Sequence, residues 1–280
     1  MLNSQTAESV IDHALSLGAD FAELFVEKNE TNVVSTLSDE VQSVESGINF
    51  GIGLRLVYGT KVLYGYTNKT DQDELRRIAS VLAAKDLRDP VSHMKSFDFN
   101  QISDIHPARR ILSVNAEIES KVAYLMAADR TARATGDQIS QTRGFCMQRE
   151  QSIEIFNSEG LHTSDNRNYI RTSLTAIASA AGEQATGSWN DGGLLGWEIE
   201  AAINPEKTGE EAARQALVNL TAKPCPSGRM PVIIGNGFGG VIFHEACGHL
   251  LETTSVAKKA SVFHDQMGEM IASSIVNAVD

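Results

Sequence analysis

The residues best suited to chemistry fall within six positions of this 280-residue sequence, His244-Glu245-Ala246-Cys247-Gly248-His249. Neutral imidazoles are good ligands for zinc (Zn²⁺), and a helix can present two of them at close spacing. A glutamate beside the first ligand can take a proton from a water molecule and pass it to a leaving amine. The motif therefore predicts a metal site in which His244 and His249 bind the ion and Glu245 is the catalytic base.

The spacing of the two histidines makes a geometric demand on the helix. On a regular α-helix, residues four apart diverge by about 40°, whereas residues five apart diverge by about 140°. Two ligands that far apart cannot easily share one ion. We therefore expect a π-type bulge or a helix end near Gly248, because glycine tolerates backbone torsions that other residues resist.

The side chains around this motif leave alternatives open. A single histidine on an apolar helix is usually a satisfied core residue, but two histidines and a glutamate in six positions are harder to explain that way. Cys247 is a candidate thiolate ligand, although a small buried cysteine beside a glycine also packs helices well. Glu252 could orient a histidine ligand, or it could be simply solvated.

The glycines before the motif allow a hypothesis from a different class. Gly235, Gly237 and Gly240 fit the G-x-G-x-x-G pattern of dinucleotide-binding folds, between a predicted strand at 231–234 and a predicted helix at 241–252. No clean second strand ends in an acidic residue about 20 positions later, as that pattern requires. A nucleotide-binding oxidoreductase is therefore the less favoured alternative, and the glycines are expected to form a tight turn without any bound cofactor.

The spacing of hydrophobic residues along the chain alternates between helical and strand periods, which predicts an α+β fold. An N-terminal module at 1–86 is predicted to be a helix, an antiparallel meander and a second helix, followed by a polar linker at 87–108. A second α+β domain at 109–280 would carry the metal-binding helix. The predicted helices are 4–17, 71–85, 110–133 and 206–221; the predicted strands are 20–28, 33–37, 41–45, 51–58, 61–66, 138–148, 151–157 and 167–180; a glycine-rich mobile loop is predicted at 187–196.

Composition limits the partners and the compartment. The formal net charge of -12, from 36 acidic and 24 basic residues, argues against a nucleic-acid partner, which would need a basic surface. No apolar run approaches the ~18 residues of a membrane span, and no signal peptide is visible. Three scattered cysteines argue against a disulfide framework and favour a cytoplasmic location.

Longer stretches around the motif resemble one known family. The segments Arg229–Ile234 and Gly240–Glu252 are similar to the signature of the TldD/PmbA metalloprotease family. The H-E-x-x-x-H block at 244–249 is the specific part of this resemblance. Supporting similarity lies at 18–25, 261–263 and 271–280.

The resemblance implies a function and a set of partners. It implies a cytoplasmic zinc-dependent peptidase that digests unfolded peptides or trims precursor peptides, working as a homodimer or as a heterodimer with a related subunit. The chain resembles the motif-bearing subunit, with His244 and His249 as metal ligands and Glu245 as the base. A non-catalytic peptide-binding or scaffolding subunit is the alternative, and the intact Glu245 argues against it.

The resemblance also implies that one ligand is missing. Family chains are much longer, and their third ligand is a cysteine in the C-terminal half, whereas this sequence stops inside what looks like an amphipathic helix at 270–279. A catalytic zinc site normally has three protein ligands and a water molecule. We therefore expect a C-terminally truncated chain whose third ligand lies outside it, with Cys225 not filling that role. Weak metal binding and inactivity are the expectation for this chain alone.

Overall fold

The computed structural model describes residues 2–86, 117–236 and 239–278, together with the main chain of 100–102. These residues form two compact units, Met1–Lys223 (unit 1) and Pro224–Asp280 (unit 2). The described part of unit 1 contains four helices, α1 to α4, seven strands, β1 to β7, and a short 3₁₀ helix. Their bounds are α1 Ser4–Ser16, β1 Phe21–Leu37, β2 Glu40–Tyr58, β3 Lys61–Thr67, α2 Gln72–Ala83, β4 Asn100–Ile102, α3 Ile118–Thr135, β5 Ile139–Asn157, β6 Leu161–Ala180, β7 Glu183–Gly193, the 3₁₀ helix Trp197–Ala201 and α4 Pro205–Thr221.

The seven described strands of unit 1 belong to one sheet. Their order is β3-β2-β1-β5-β6-β4, and β7 also pairs with β6. The pairings are antiparallel except that of β4 with β6. The predicted α+β class is confirmed, and the long antiparallel pair of β1 with β5 joins the N-terminal meander to the strands that follow it.

Local sequence explains where α1, α2 and α4 begin. The side chain of Asn3 accepts a hydrogen bond from the amide of Gln5 at 2.8 Å, and Asp71 accepts one from the amide of Glu74 at 3.0 Å. Asn204 caps α4 in the same way, and a proline in the first turn of α4 supplies a favourable φ. Each cap satisfies an amide that has no partner within its helix.

The apolar core of unit 1 lies where helices cover the sheet. Helices α1 and α2 pack on β1 to β3, where alternate side chains such as Leu24, Val26, Leu54 and Leu56 are fully or almost fully buried. Helices α3 and α4 cover β5 to β7 through small residues. Alternation within each strand thus gives the sheet one face covered by helices.

The predicted mobile loop at 187–196 is wrong, because most of it is strand. Strand β7 runs from Glu183 to Gly193 and pairs with β6. A Cβ atom on Gly187 would lie 2.2 Å from the backbone nitrogen of Ala216 in α4. The glycine allows this close approach between a helix and a strand. A glycine-rich sequence is equally typical of a flexible loop, so the sequence alone does not distinguish the two.

Other predicted boundaries shift in consistent ways. The strands predicted at 20–28 and 33–37 are one strand, β1, and those at 138–148 and 151–157 are also one strand, β5. The hairpin at Gly59-Thr60 is confirmed by the pairing of β2 with β3. The described part of the third predicted helix begins at Ile118. The linker at 87–108 lies outside the described residues apart from β4, and the division into domains at 86 and 109 remains a prediction.

Unit 2 has little regular structure. Its helical segments are α5 (Gly240–Phe243), a π-helical turn (His244–Gly248), α6 (His249–Leu251) and α7 (Thr253–Ala257). Two predictions for unit 2 are wrong. Residues 231–234 do not form a strand, and the described residues of the segment 270–279 do not form a helix. In the described residues of unit 2, Ser261 alone is buried. Within the described parts of both units, no helix is long and apolar enough to cross a membrane.

Candidate metal centre

The motif occupies a single distorted helical segment of unit 2. The backbone passes from α-helical at Phe243 through a π-helical turn at His244–Gly248 and back to α-helical at His249. It then leaves the helix at Glu252, whose torsions are φ -60° and ψ 134°. The predicted π-type distortion is confirmed.

The π turn brings the two histidines to the same side of the segment. The backbone N–H of His249 donates a hydrogen bond to the carbonyl of His244, five residues earlier, which is the register of a π-helix. The imidazole rings lie 4.5 Å apart between centroids and meet at 72°. A regular α-helix would direct the two rings apart. The π turn therefore allows histidines five residues apart to lie close together.

Gly248 contributes to this distortion less than the sequence suggested. Its torsions are φ -53° and ψ -54°, which any residue adopts in a helix. A Cβ atom there would lie 3.7 Å from Nδ1 of His244, an ordinary van der Waals contact. The hydrogen-bond register produces the bulge, and the expectation that Gly248 would need unusual torsions is wrong.

Donor atoms of three side chains converge at this turn. One ligand atom each from His244, Glu245 and His249 lie within 4.8 Å of one another, and all three residues are exposed. Two nitrogens that bind one zinc ion at about 2.1 Å each lie at most about 4.2 Å apart. Small rotations of exposed side chains cover that difference, so this donor set fits a zinc ion. Cys247 does not belong to this group.

The two nitrogens of the His249 ring face different carboxylates. Nδ1 lies 2.7 Å from Oε1 of Glu252, and Nε2 lies 3.8 Å from Oε2 of Glu245. The hydrogen bond to Glu252 is the largest cause that raises the pKa of His249, followed by the charge of Glu252, with a smaller contribution from Glu245. Protons therefore compete with a metal ion for this ring more strongly than at an isolated histidine.

The cluster offers two imidazole donors and one carboxylate. A third protein ligand, expected outside this chain, remains a prediction. Cys225 is exposed, and its Sγ lies 3.8 Å from the carbonyl oxygen of Pro226. It is not part of the three-residue group.

The glycines at 235–240 lack the flanking strand and long helix that a dinucleotide-binding motif requires. The pattern needs a strand before the glycines and a helix after them. Residues 231–234 are not a strand, and α5 has only four residues. Gly235 and Gly240 are therefore not placed at a strand-to-helix turn that could hold a pyrophosphate.

Fold and site together define an α+β protein that carries an exposed His-Glu-His cluster on a π turn. Three family models match successive parts of the chain: PmbA/TldA metallopeptidase domain 1 at residues 22–85, the central domain at 113–220 and the C-terminal domain at 227–280. The chain belongs to this family, which is also called TldD/PmbA, as the motif indicated.

Curated relatives are named as metalloproteases. A protein of Haemophilus influenzae called a metalloprotease TldD homolog is 27% identical over 100% of this chain and 59% of its own length. A metalloprotease of Methanocaldococcus jannaschii is 24% identical over 100% of this chain and 61% of its own length. The chain thus spans about three fifths of the length of these relatives.

Solved structures share the fold. TldE from Thermococcus kodakarensis superimposes with a TM-score of 0.70 at 14% identity, covering 96% of this chain and 60% of that chain. A Bacteroides thetaiotaomicron protein described as a candidate modulator of DNA gyrase gives a TM-score of 0.75 at 16% identity, covering 97% and 62%. At this level of identity the likeness establishes the fold alone.

Proposed function

We propose that this chain carries the catalytic motif of a zinc-dependent peptidase that hydrolyses unfolded or precursor peptides. The observation that carries the proposal is the π turn at His244–Gly248, since it brings together two histidines whose spacing on a regular helix would separate them. Membership of a metallopeptidase family supports it. So do the names of the relatives, which are metalloproteases.

Each residue of the cluster has a distinct role in this proposal. His244 and His249 hold the ion. When bound, zinc would lower the pKa of a water molecule and polarise the carbonyl of the peptide bond. Glu245 would take one proton from the attacking water as the water oxygen bonds to the carbonyl carbon, and would deliver that proton to the amine nitrogen as the C–N bond breaks. The Glu245 side chain is 66% exposed, so water and a peptide can both reach it.

The proposal includes a partner and a compartment. A second subunit of the same fold, identical or related, would complete the assembly, and the fold shared with TldE is compatible with a related one. Action in the reducing cytoplasm agrees with three free cysteines. Light scattering of the full-length protein, alone and mixed with a candidate partner, would measure the assembly.

The decisive experiment combines metal analysis with peptide cleavage in the full-length protein. Glu245→Gln keeps the size of the side chain and removes the base, so we expect zinc to be retained and hydrolysis to fall about 100- to 10,000-fold. His244→Ala and His249→Ala should lose zinc and activity together. Glu269→Gln, which changes an exposed glutamate of the same unit, is the matched control and should behave as wild type.

Two results would overturn the proposal in different ways. Equal cleavage by wild type and Glu245→Gln would refute the role of Glu245, and it would favour a non-catalytic peptide-binding subunit. Failure of the wild-type protein to retain or regain zinc would refute the metal site itself.

A further inference from the structure

We infer that Glu252 is a positioning residue that fixes the tautomer of His249, leaving the lone pair on Nε2, the nitrogen on the side of Glu245. This inference deepens the proposed function and concerns a residue outside the H-E-x-x-x-H motif. Its basis is the short contact between Nδ1 of His249 and Oε1 of Glu252, at 2.7 Å.

The backbone holds Glu252 in the place that this contact needs. Glu252 lies between α6 and α7 in an extended conformation. Its carbonyl oxygen accepts hydrogen bonds from the amides of Ser255 at 2.9 Å and Val256 at 3.0 Å. The start of α7 thus anchors the main chain of Glu252 immediately after the helical segment ends.

The side chain of Glu252 turns back toward the motif. Glu252 is the N-cap residue of α7, but its side chain makes no capping hydrogen bond to that helix. It reaches the ring of His249, three residues earlier, instead. The carboxylate therefore contacts the histidine ring and does not cap the adjacent helix.

The consequence for His249 follows from the chemistry of imidazole. A neutral ring has one N–H donor and one nitrogen with a free lone pair. In the inferred arrangement the carboxylate oxygen of Glu252 accepts a hydrogen bond, so Nδ1 carries the proton and donates it at the observed 2.7 Å contact. Nε2 then carries the lone pair, and it lies on the side of Glu245, at 3.8 Å. A metal ligand oriented in this way by a carboxylate is a recurrent arrangement in zinc sites.

The chain offers a matched control for an ordinary surface pair. Glu211 and Arg214 are also three residues apart and meet at 2.7 Å. Arginine has no tautomer to select and stays protonated. Glu211→Gln therefore removes a pair of the same spacing and length without touching the histidine.

The test has two readouts, one of which needs no metal. Nitrogen NMR on protein with ¹⁵N-labelled histidine, at a pH where His249 is neutral, reports which ring nitrogen carries the proton. We expect Nδ1–H in wild type and loss of that preference in Glu252→Ala. Zinc affinity of this chain, measured with zinc ions against a chromophoric chelator, should fall about 10- to 100-fold in Glu252→Ala.

The conservative variant guards against a merely structural effect. Glu252→Gln keeps an oxygen acceptor, so it should retain the Nδ1–H tautomer and lose less zinc affinity than Glu252→Ala. Glu211→Gln should match wild type in both readouts. Circular dichroism of every variant would verify that the fold is retained.

The outcomes separate this inference from the proposed function. If wild type and Glu252→Ala show the same tautomer and bind zinc equally tightly, the inference is wrong and the zinc site stands. If wild type binds no zinc but Glu252→Ala still loses the Nδ1–H tautomer, the proposed function is wrong and the pairing of Glu252 with His249 stands.

Discussion

At the scale of single residues, Lys121 carries an ammonium group into the interior of unit 1. Its side chain is fully buried, and Nζ donates a hydrogen bond to Oδ1 of Asn32 at 2.9 Å. Nζ also lies 5.7 Å from the centroid of the Trp197 ring. Burial is the largest cause that lowers the pKa of Lys121 from its ordinary value of 10.5, because desolvation disfavours the charged form.

The lowered pKa of Lys121 predicts a pH dependence of stability. Between the folded-state pKa and about 10.4, the value in an unfolded chain, the unfolded state binds more protons than the folded state. The free energy of unfolding should therefore rise with pH across that window. In Lys121→Met this contribution should disappear and the slope should flatten, as measured by urea unfolding at a series of pH values.

An exposed lysine provides the control for this experiment. Lys69→Met changes a residue at the surface of unit 1 and should leave the slope as in wild type. Equal slopes for wild type and Lys121→Met would show that Lys121 does not titrate differently in the folded and unfolded states.

At the scale of elements, close packing between helices and the sheet depends on glycine. Gly187 in β7 faces α4, where an added Cβ would lie 2.2 Å from the nitrogen of Ala216 and 2.4 Å from the oxygen of Ala212. Gly209 in α4 faces α3 in the same way, 2.2 Å from the oxygen of Ala128. The clashing atoms belong to the backbone and cannot rotate aside.

We expect Gly187→Ala to destabilise unit 1 by about 1–3 kcal/mol, because the extra methyl group overpacks an interface between two backbones. Urea unfolding should show a lower midpoint with an unchanged m-value. Gly47→Ala is the matched control, since Gly47 also lies in a strand but has no atom within 4 Å of the added Cβ. Equal midpoints for the two variants would contradict the packing described for α4.

At the scale of the whole molecule, apolar burial is concentrated in unit 1. The three clusters of buried hydrophobic residues found in the described ranges belong to that unit. In the described part of unit 2 many apolar side chains are exposed, and Ile233 is 98% exposed. Stability at this scale therefore resides in unit 1, whereas the candidate chemistry resides in unit 2.

Limited trypsin digestion should reveal this division. Residues 222–235 are exposed and lack helix or strand, and such segments are preferred sites of cleavage. Pro224 blocks cleavage after Lys223, so we expect an early cut after Arg229 that releases a folded fragment ending there. Mass spectrometry of the first products would identify the site. An initial cut after Arg214, inside α4, would contradict the stability of unit 1.

The sequence by itself determined the features that depend on neighbouring residues. The residue types at 244–249 predicted the candidate metal site, and their spacing predicted the π distortion that the structure contains. Apolar residues at helical spacing predicted the N-terminal helices, and the periodicity of two with the turn at Gly59-Thr60 predicted the meander. These properties follow from torsions and hydrogen bonds within a few residues, which a local pattern encodes.

Only the tertiary structure decided the features that depend on distant partners. Gly187 is in a strand because α4 approaches it, and Lys121 is buried because β1 supplies Asn32 from 89 residues away. The apolar pattern at 270–279 is not helical in its described residues, since a short amphipathic helix needs a packing surface to be stable. Glu252 was ambiguous for a different reason: sequence spacing allows contact with His249, but the backbone break before α7 decides where its side chain lies.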